Sequence, residues 1–197
     1  LGVTMPGFRT PDRTYQNATD LMKSLGVTIK EISIKDACVL HMKDIEHDSS
    51  VKDITYENTQ ARERTQILFD LANKHGKLLV GTGDLSELAM GWCTYNGDHM
   101  SMYGVNASVP KTLVKYLVEY VANVSDKNTA DILFDVLDTP VSPELLPPDE
   151  NGNIAQKTED NIGPYELHDF FLYNFVRFGY EKNKIKRLAL KAFDGKY

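Results

Sequence analysis

The amino-acid sequence predicts an α/β protein with a three-layer, doubly wound parallel sheet. Short apolar runs alternate along the chain with segments of helical periodicity, which is typical of parallel strands joined by crossover helices. A second observation is the turn Gly81-Thr82-Gly83, which joins the apolar run Lys77–Val80 to a predicted helix. Ligands of doubly wound sheets bind beyond the carboxyl ends of the strands, so this turn is where a site is expected.

The first half of the chain is predicted to contain two strands and three helices. Glycine indicates helix ends because it adopts the left-handed conformation without strain, and aspartate or asparagine indicates helix starts because its side chain caps free N–H groups. The predicted elements are a strand at 1–5, a helix around 18–25 that Gly26 ends, a strand at 28–34, a helix at 36–47 capped by Asp36, and a helix at 58–75 with Asn58 at or near its cap and Gly76 at its end.

The second half continues this alternation and then departs from it. Its predicted elements are a buried strand at 77–80, a helix from Leu85 capped by Asp84, a short strand at 99–105, a helix at 111–124, a short helix at 129–137, and helices at 165–178 and 183–193. In the helix at 111–124 the side chains expected to face inward are Leu113, Val114, Leu117, Val118 and Val121. The stretch 138–164 has five prolines and no periodicity, which is typical of a lid, a binding loop or a disordered segment.

Composition and charge exclude some classes of function. The chain has 197 residues and a net charge of −6, so it has no general attraction for nucleic acid or anionic membranes. Its two cysteines, Cys38 and Cys93, have no metal-binding spacing and fit a reducing cytoplasm. No apolar run approaches the roughly 20 residues of a membrane span, and no signal-peptide pattern is present. Because Leu1 already stands in a strand pattern, we expect a piece of a longer polypeptide.

The glycine turn and the helix after it form the first candidate site. A helix N-terminus attracts anions because its N–H groups lack partners and its dipole is positive there. Asp84 and Glu87 fit a capping box of the D-x-x-E kind, in which Glu87 bonds back to the cap backbone. Glu87 fits a Mg²⁺ ligand at a phosphate site as well, and the spacing leaves both interpretations open.

Positive and aromatic residues favour a phosphate-bearing ligand near this turn. The positive groups expected near the rim of the sheet, each of which also fits a surface charge, are Arg9, Arg13, Arg62 and Lys111. Trp92 and Tyr95 fit either core packing or stacking on a heterocyclic ring. Asn58 fits either a helix cap or an amide contact with a ligand. The residues alone therefore predict an α/β domain that binds a phosphate-bearing ligand.

Three longer segments carry a resemblance to a known family. They are TYENTQARERTQILFDLAN from residue 55, GTGDLSELAMGWCTYNGDHMSMYGVNASVPKTL from residue 81 and IGPYELHDFF from residue 162. They closely resemble the synthetase domain of bacterial glutamine-dependent NAD⁺ synthetases, and the similarity runs from Val3 almost to the end of the chain. The resemblance implies the adenine nucleotide α-hydrolase-like fold, which is also called the ATP-pyrophosphatase fold.

The resemblance also implies an activity, the conversion of deamido-NAD to NAD⁺. Family members adenylate the nicotinate carboxylate with MgATP, release pyrophosphate, and let ammonia displace AMP. In the glutamine-dependent branch an N-terminal amidase domain supplies that ammonia. The expected cofactors are therefore ATP and Mg²⁺. The parent protein is expected to be a cytoplasmic ligase that forms a homo-oligomer and binds neither nucleic acid nor membranes.

The resemblance implies roles for individual residues. Lys111 and Glu87 are expected to be catalytic, with Lys111 at the ATP phosphates and Glu87 at the magnesium ion. The residues expected at ATP are Thr82, Arg13, Met5 and Lys111. The residues expected at deamido-NAD are Asn58, Arg62, Glu87, Trp92, Cys93, Thr94, Tyr95, Asp98 and Lys184. Smaller ammonia-dependent members have a substrate lysine where this chain has Tyr95, so that contact has no counterpart here.

The sequence departs from the family pattern at its beginning. The family's Ser-Gly-Gly-x-Asp-Ser pyrophosphate loop, the strand before it and the amidase domain lie upstream of Val3 and are absent from these 197 residues. We expect a partial synthetase domain at 1–197, truncated at the N-terminal strand, with a lid or disordered loop at 138–164. Such a piece is expected to bind ATP poorly and to make no NAD⁺ alone. The alternatives are a different ATP-pyrophosphatase amidoligase and a non-catalytic dimerisation module.

Overall fold

Short parallel strands form the sheet part of the fold. The computed structural model describes residues 1–8, 12–139 and 158–197. There, β1 (Gly2–Thr4) pairs in parallel with β2 (Ile29–Glu31), and β3 (Val80–Gly81) pairs in parallel with β4 (Tyr103–Gly104). Parallel pairing confirms the prediction, although in the described part of the chain the strands form two separate two-stranded sheets. Ladders this short contribute few hydrogen bonds, so helix packing supplies most of the contacts.

Helices make up most of the described chain, and every helix predicted from the sequence is present. They are α1 (Asp12–Ser24), α2 (Lys35–Asp44), α3 (Ile54–His75), α4 (Leu85–Met90), α5 (Lys111–Val124), α6 (Lys127–Leu137), α7 (Thr158–Ile162), α8 (Tyr165–Leu172) and α9 (Lys182–Ala192). A π-helical turn, Tyr173–Arg177, continues α8. Of the predicted loop at 138–164, α7 is helical, and residues 140–157 lie outside the described residues.

The long helix α3 begins one turn earlier than the sequence predicts. Asp53 is its N-cap, and Asp53 Oδ1 accepts the backbone N–H groups of Thr55 at 2.9 Å and Tyr56 at 3.0 Å. The prediction that Asn58 caps this helix is therefore wrong, because Asp53 already satisfies the free N–H groups of the first turn. Gly76 ends the helix in the left-handed conformation, with φ of 56°, as predicted.

The core of the described chain lies between α2 and α3. Its buried side chains are Ile34, Cys38, Met42 and Tyr56, and those packed against them are Met5, Phe8 and Ile67. The rings of Phe8 and Tyr56 stack with their centroids 5.2 Å apart. Burial raises the pKa of the Cys38 thiol to about 11, so this cysteine stays protonated at neutral pH.

The start of α2 is determined by this core. Ile34, which is fully buried, occupies the N-cap position, and its side chain makes no cap hydrogen bond. Asp36 lies inside the first turn, where its carboxylate interacts favourably with the positive end of the helix dipole. The prediction that Asp36 is the cap is therefore wrong, because burial of Ile34 decides where the helix begins.

Two predictions of burial are also wrong. Leu78 and Val80 are 61% and 54% exposed, because the ladder of β3 is only two residues long and the apolar run extends beyond it. In α5, three residues expected to face inward are exposed, namely Leu113, Leu117 and Val121. α5 packs on α6 along one side and on α4 and α8, so its apolar surface is wider than the face it buries.

Candidate functional site

The glycine turn leads into α4 through a complete capping box. Asp84 is the N-cap residue, and its carboxylate accepts the Glu87 backbone N–H at 2.9 Å. Glu87 Oε2 in turn accepts the Asp84 backbone N–H at 3.2 Å. This geometry confirms the capping-box interpretation. The cap uses only one oxygen of the Glu87 carboxylate, and the other oxygen has a different partner.

That partner is Lys111, the first residue of α5. Lys111 Nζ lies 2.7 Å from Glu87 Oε1 and 2.8 Å from Asp84 Oδ2. The side chains of Lys111 and Asp84 are only 16% and 5% exposed, so water screens this pair weakly. Desolvation by itself lowers the pKa of Lys111, but the hydrogen bonds to Asp84 and Glu87 outweigh it and raise the pKa above its ordinary value. Lys111 therefore stays charged at neutral pH.

An aromatic ring forms another side of the Lys111 environment. Lys111 Nζ lies 5.3 Å from the centroid of the Tyr165 ring, within range of a cation–π interaction. Tyr165 is buried at the start of α8, and this burial raises the pKa of its phenol to about 12. The ring therefore stays neutral at physiological pH. Tyr165 was not among the site residues predicted from the sequence.

Two further residues of this region were also missed, Ser86 and Asp169. The Ser86 hydroxyl donates a hydrogen bond to Asp169 Oδ1 and accepts the Lys111 backbone N–H at 2.9 Å. Asp169 Oδ2 accepts the Thr112 backbone N–H at 2.8 Å. One signal was available in the sequence, since Asp169 is a carboxylate next to two phenylalanines on a helix rich in aromatic residues. No rule of spacing singles out Ser86.

The residues predicted to hold the dinucleotide form a second cluster, where the loop 92–99 meets α3. Thr94 Oγ1 donates to Asn58 Oδ1 at 2.8 Å, and the Thr94 backbone N–H donates to Asp98 Oδ1 at 2.8 Å. Arg62 Nε donates to the Tyr95 carbonyl oxygen at 3.0 Å. The structure thus brings together Asn58, Arg62, Thr94, Tyr95 and Asp98. Asn58 anchors this loop instead of capping its helix.

Other predicted residues lie between or beside the two clusters. Trp92 and Tyr95 are 38% and 74% exposed, so part of each residue is open to solvent. Thr82 is exposed in the glycine turn. Burial, and then the negative charges of Asp98 and Glu87, raise the pKa of the Cys93 thiol. Cys93 is therefore within electrostatic range of one carboxylate from each cluster.

Three predicted residues make their contacts elsewhere. The carbonyl oxygen of Met5 accepts a hydrogen bond from Arg64 Nε at 3.2 Å, and the side chain packs against the core. Lys184 Nζ lies 3.2 Å from the centroid of the Tyr180 ring. Arg13, the third of them, links α1 to the end of α6. Binding of ATP or deamido-NAD by these residues stays a prediction.

Arg13 is held by two aspartates. Its Nη2 lies 2.6 Å from Asp135 Oδ1 and 3.1 Å from Asp138 Oδ2, and its Nε donates to Asp135 Oδ2 at 2.9 Å. Hydrogen bonds from Arg13 and from Asn17 lower the pKa of Asp135 to about 2. The same two aspartates raise the pKa of Arg13. Arg13 is thus a structural link between two helices.

We expect this link to weaken in acid. A carboxylate with a depressed folded pKa stabilises the fold above its unfolded pKa of about 3.9, and the contribution disappears as the pH falls through the folded pKa, which is about 2 for Asp135. The difference in Tm between the wild-type chain and Asp135→Asn should therefore shrink as the pH falls from about 3.9 to about 2. Asp131→Asn, which removes an exposed partner of Lys127 on the same helix, should differ little from wild type at any pH. A difference in Tm between wild type and Asp135→Asn that does not change with pH contradicts the expectation.

The described residues set limits on metal binding and on membrane crossing. Across 1–8, 12–139 and 158–197, no three His, Cys, Asp or Glu side chains are grouped closely enough to hold a metal ion by themselves. In the same part of the chain no helix is long and apolar enough to cross a membrane.

Sequence comparison places the chain among known proteins. The family described as NAD synthase matches residues 1–192. The glutamine-dependent NAD(+) synthetase of Mycobacterium leprae is 47% identical over 200 residues, which cover 98% of this chain and 29% of that protein. The chain thus spans about three tenths of the length of these curated relatives.

Solved structures give the same result for the fold. The glutamine-dependent NAD⁺ synthetase of Acinetobacter baumannii, in complex with adenosine diphosphate, superposes with a TM-score of 0.64 at 28% identity and covers 94% of this chain and 34% of that one. The NMN synthetase of Francisella tularensis superposes with a TM-score of 0.70 at 25% identity and covers 86% of this chain and 64% of that one. The chain shares the adenine nucleotide α-hydrolase-like α/β fold of these proteins.

Proposed function

Because this chain belongs to the NAD synthase family, we propose that it carries the synthetase part of an ATP-dependent ligase that amidates deamido-NAD to NAD⁺. The nicotinate carboxylate attacks the α-phosphorus of ATP, and pyrophosphate leaves. Ammonia then attacks the acyl carbon of the adenylate, and AMP leaves. The curated relatives are named glutamine-dependent, so we propose that glutamine, hydrolysed in a separate amidase domain, supplies the ammonia.

The observation that carries this proposal is the shielded cation at the glycine turn. Lys111 keeps its charge, lies at the start of a helix, and sits next to the turn at the end of β3. Phosphoryl-group reactions depend on positioning and on neutralising negative charge more than on a general base. Lys111 would bind the ATP phosphates, and Thr82 in the turn would contact the nucleotide beside it. When ATP binds, Lys111 would exchange one of its carboxylate partners, Asp84 or Glu87, for a phosphate oxygen.

The donor atoms fit a magnesium ion only in part. Mg²⁺ takes oxygen ligands, and in nucleotide sites it uses one or two carboxylates with substrate phosphates and water. Glu87 offers such a carboxylate next to Asp84, and the described residues hold no third carboxylate in the same group. Glu87 would therefore hold the ion together with ATP. The ion would neutralise phosphate charge, and Lys111 would act beside it.

The second cluster is the proposed site for the dinucleotide. Asn58 and Arg62 fix the loop 92–99 on α3, so the loop presents a defined surface. The rings of Trp92 and Tyr95 are exposed and offer flat apolar faces to a pyridine or an adenine. Asp98 and Cys93 would line the side nearer to Glu87. Lys184, whose ammonium lies over Tyr180, would reach the dinucleotide from α9.

We also propose a location, an assembly state and the contacts of the protein with adenosine. The relatives and the solved structures are enzymes of nucleotide metabolism, which supports a cytoplasmic location. The exposed apolar surface of α5 supports assembly into a homo-oligomer. The net charge of −6 is unfavourable for binding nucleic acid. Arg13 and Met5 would flank the adenosine of ATP, and for Arg13 this requires its bonds to Asp135 to rearrange.

A chimeric enzyme tests the proposal. In it, this chain replaces the matching segment of the Mycobacterium leprae relative, which supplies the remaining seven tenths of that protein. We expect NAD⁺ to form from deamido-NAD, MgATP and glutamine, and pyrophosphate and AMP to appear in equal amounts. The 197-residue chain alone, given ammonia, is expected to make no NAD⁺. A well-folded chimera that releases no pyrophosphate from ATP in the presence of deamido-NAD contradicts the proposed function.

A second candidate has one observation in its favour, the similarity to an NMN synthetase. An enzyme of that kind amidates a mononucleotide, so it needs no surface for an adenosine half. In the chimera, kcat/KM measured with deamido-NAD and with nicotinate mononucleotide separates the two candidates. We expect deamido-NAD to be preferred, because the exposed Trp92–Tyr95 segment offers an extended stacking surface beyond the cation site.

A variant of Asn58 tests the dinucleotide cluster. Asn58→Ala removes the acceptor of the Thr94 hydroxyl and releases the loop from α3. One lost hydrogen bond is worth roughly 1 kcal/mol, so we expect KM for deamido-NAD in the chimera to rise about fivefold, with little change in KM for ATP. Thr94→Val should have the same effect, and Asn73→Ala, at an exposed position on the same helix, should have none. An effect of Asn58→Ala far above that of Thr94→Val indicates direct contact of Asn58 with substrate.

A further inference from the structure

We propose that Asp169 and Ser86 are positioning residues that fix the backbone of Lys111 for phosphate binding, an inference that rests on the proposed function. Both are buried side chains, neither was among the site residues predicted from the sequence, and they come from different helices, α8 and α4. They meet at the first turn of α5, the helix that carries Lys111.

The first turn of α5 needs acceptors from outside its own segment. The N-cap residue is Pro110, whose side chain has no oxygen, and it makes no side-chain cap. The free N–H groups of a helix start are costly when they are buried without a partner. Here the Lys111 N–H donates to Ser86 Oγ and the Thr112 N–H donates to Asp169 Oδ2, at 2.9 and 2.8 Å. Two other helices therefore cap α5.

The two capping groups also bind each other, which fixes the direction of each hydrogen bond. Asp169 Oδ1 accepts the Ser86 hydroxyl proton, so the lone pairs of Ser86 Oγ are left to accept the Lys111 N–H. Ser86 is fully buried and Asp169 is 6% exposed, so water does not compete for these groups. A carboxylate at this position also interacts favourably with the positive end of the dipole of α5.

The position of Ser86 links the backbone of Lys111 to the carboxylates that bind its ammonium group. Ser86 lies in α4, between the two carboxylate residues that hold the Lys111 ammonium, Asp84 and Glu87. The network thus ties the backbone of Lys111 to the same short helix that ties its side chain. A displacement of about 1 Å in a catalytic group can reduce a rate about 100-fold. Asp169 acts on the reaction only through Lys111.

Kinetics of the chimera test this inference. We expect Asp169→Ala and Ser86→Ala to lower kcat for NAD⁺ formation about 10- to 100-fold, with KM for deamido-NAD unchanged. Asp169→Asn, which keeps an acceptor for the Thr112 N–H, should retain more activity than Asp169→Ala. Glu166→Gln, at an exposed position on the same helix, should match wild type. In a Lys111→Met background, Asp169→Ala should have no further effect, since its target is gone. If Asp169→Ala lowers kcat by the same factor in the Lys111→Met background as in wild type, the inference is overturned.

A measurement on the 197-residue chain separates this inference from the proposed function. Amide hydrogen exchange of Lys111 and Thr112 should be slow in wild type and in Glu166→Gln, and faster in Asp169→Ala while exchange in α3 stays unchanged. Unchanged exchange at Thr112 in Asp169→Ala overturns the inference whatever the chimera does. An inactive wild-type chimera counts against the proposed function alone, and the exchange result then decides whether Asp169 holds the start of α5.

Discussion

Replacing Lys111 with methionine is expected to lower kcat for NAD⁺ synthesis in the chimera by at least about 100-fold, the usual loss when a preorganised charge that faces the transition state is removed. Lys111 is a charged and weakly solvated cation at the glycine turn. Methionine keeps most of the apolar stem of the side chain and removes the ammonium group, with its charge and its N–H donors. Steady-state formation of NAD⁺ and pyrophosphate measures the effect. A kcat within about twofold of wild type excludes Lys111 from the phosphate site.

The same substitution should destabilise the fold. Without the ammonium, the carboxylates of Asp84 and Glu87 are left next to each other with little water around Asp84. Loss of one member of a buried ion pair costs about 3–5 kcal/mol, and because Glu87 is 30% exposed we expect about 2–3 kcal/mol in the free energy of unfolding. Urea titration measures it. Lys115→Met, at an exposed position on the same helix, is the matched control and should change neither stability nor kcat.

Replacing Glu87 with glutamine should separate its two roles. The amide oxygen of glutamine can still accept the Asp84 backbone N–H, so the capping box is kept. Lys111 loses one of its two carboxylate partners and keeps Asp84, so the free energy of unfolding should fall by about 1–2 kcal/mol. The negative charge that would hold Mg²⁺ is lost. Stabilisation by a catalytic metal is worth several kcal/mol, so kcat should fall about 100-fold, and the magnesium concentration for half-maximal activity should rise.

Two comparisons complete this test. Glu87→Ala removes the charge and the capping oxygen together, so it should lose stability as well as activity. Glu119→Gln removes a charge from an exposed position on α5 and should change neither. Wild-type kcat with an unchanged magnesium dependence in Glu87→Gln contradicts the proposed metal role and leaves the capping box and the contact with Lys111 as the roles of Glu87.

Local signals in the sequence predicted local structure well. The capping box of Asp84 and Glu87, the stop at Gly76 and the parallel pairing of strands each depend on residues close together in the chain or on a periodic pattern. Where two local signals competed, the prediction was wrong. Asn58 is a good cap residue, but Asp53 lies one turn upstream and satisfies the N–H groups first. At α2 the reason is different, because Ile34 makes no cap hydrogen bond and its burial decides where the helix begins.

Burial was harder to predict because it depends on what covers a side chain. Leu78 and Val80 form a convincing apolar run, but β3 is too short to include the run, and both side chains remain exposed. Leu113 and Leu117 lie on an amphipathic helix, but α5 has more apolar surface than α6 covers. An apolar pattern predicts which residues are able to be buried, and packing decides which of them are.

For the candidate site, the sequence predicted several side chains that the structure brings close together, and it missed residues that hold them in place. The motif from Gly81 to Lys111, with its family resemblance, identified Glu87, Lys111 and the loop that contains Thr94 and Asp98. The contacts of Ser86 with Asp169 and of Asn58 with Thr94 join residues 83 and 36 positions apart, and the pairing of Arg13 with Asp135 joins residues 122 apart. Spacing along a chain carries no information about such pairs, because they form only when separate helices pack and when burial makes an unpaired polar group costly.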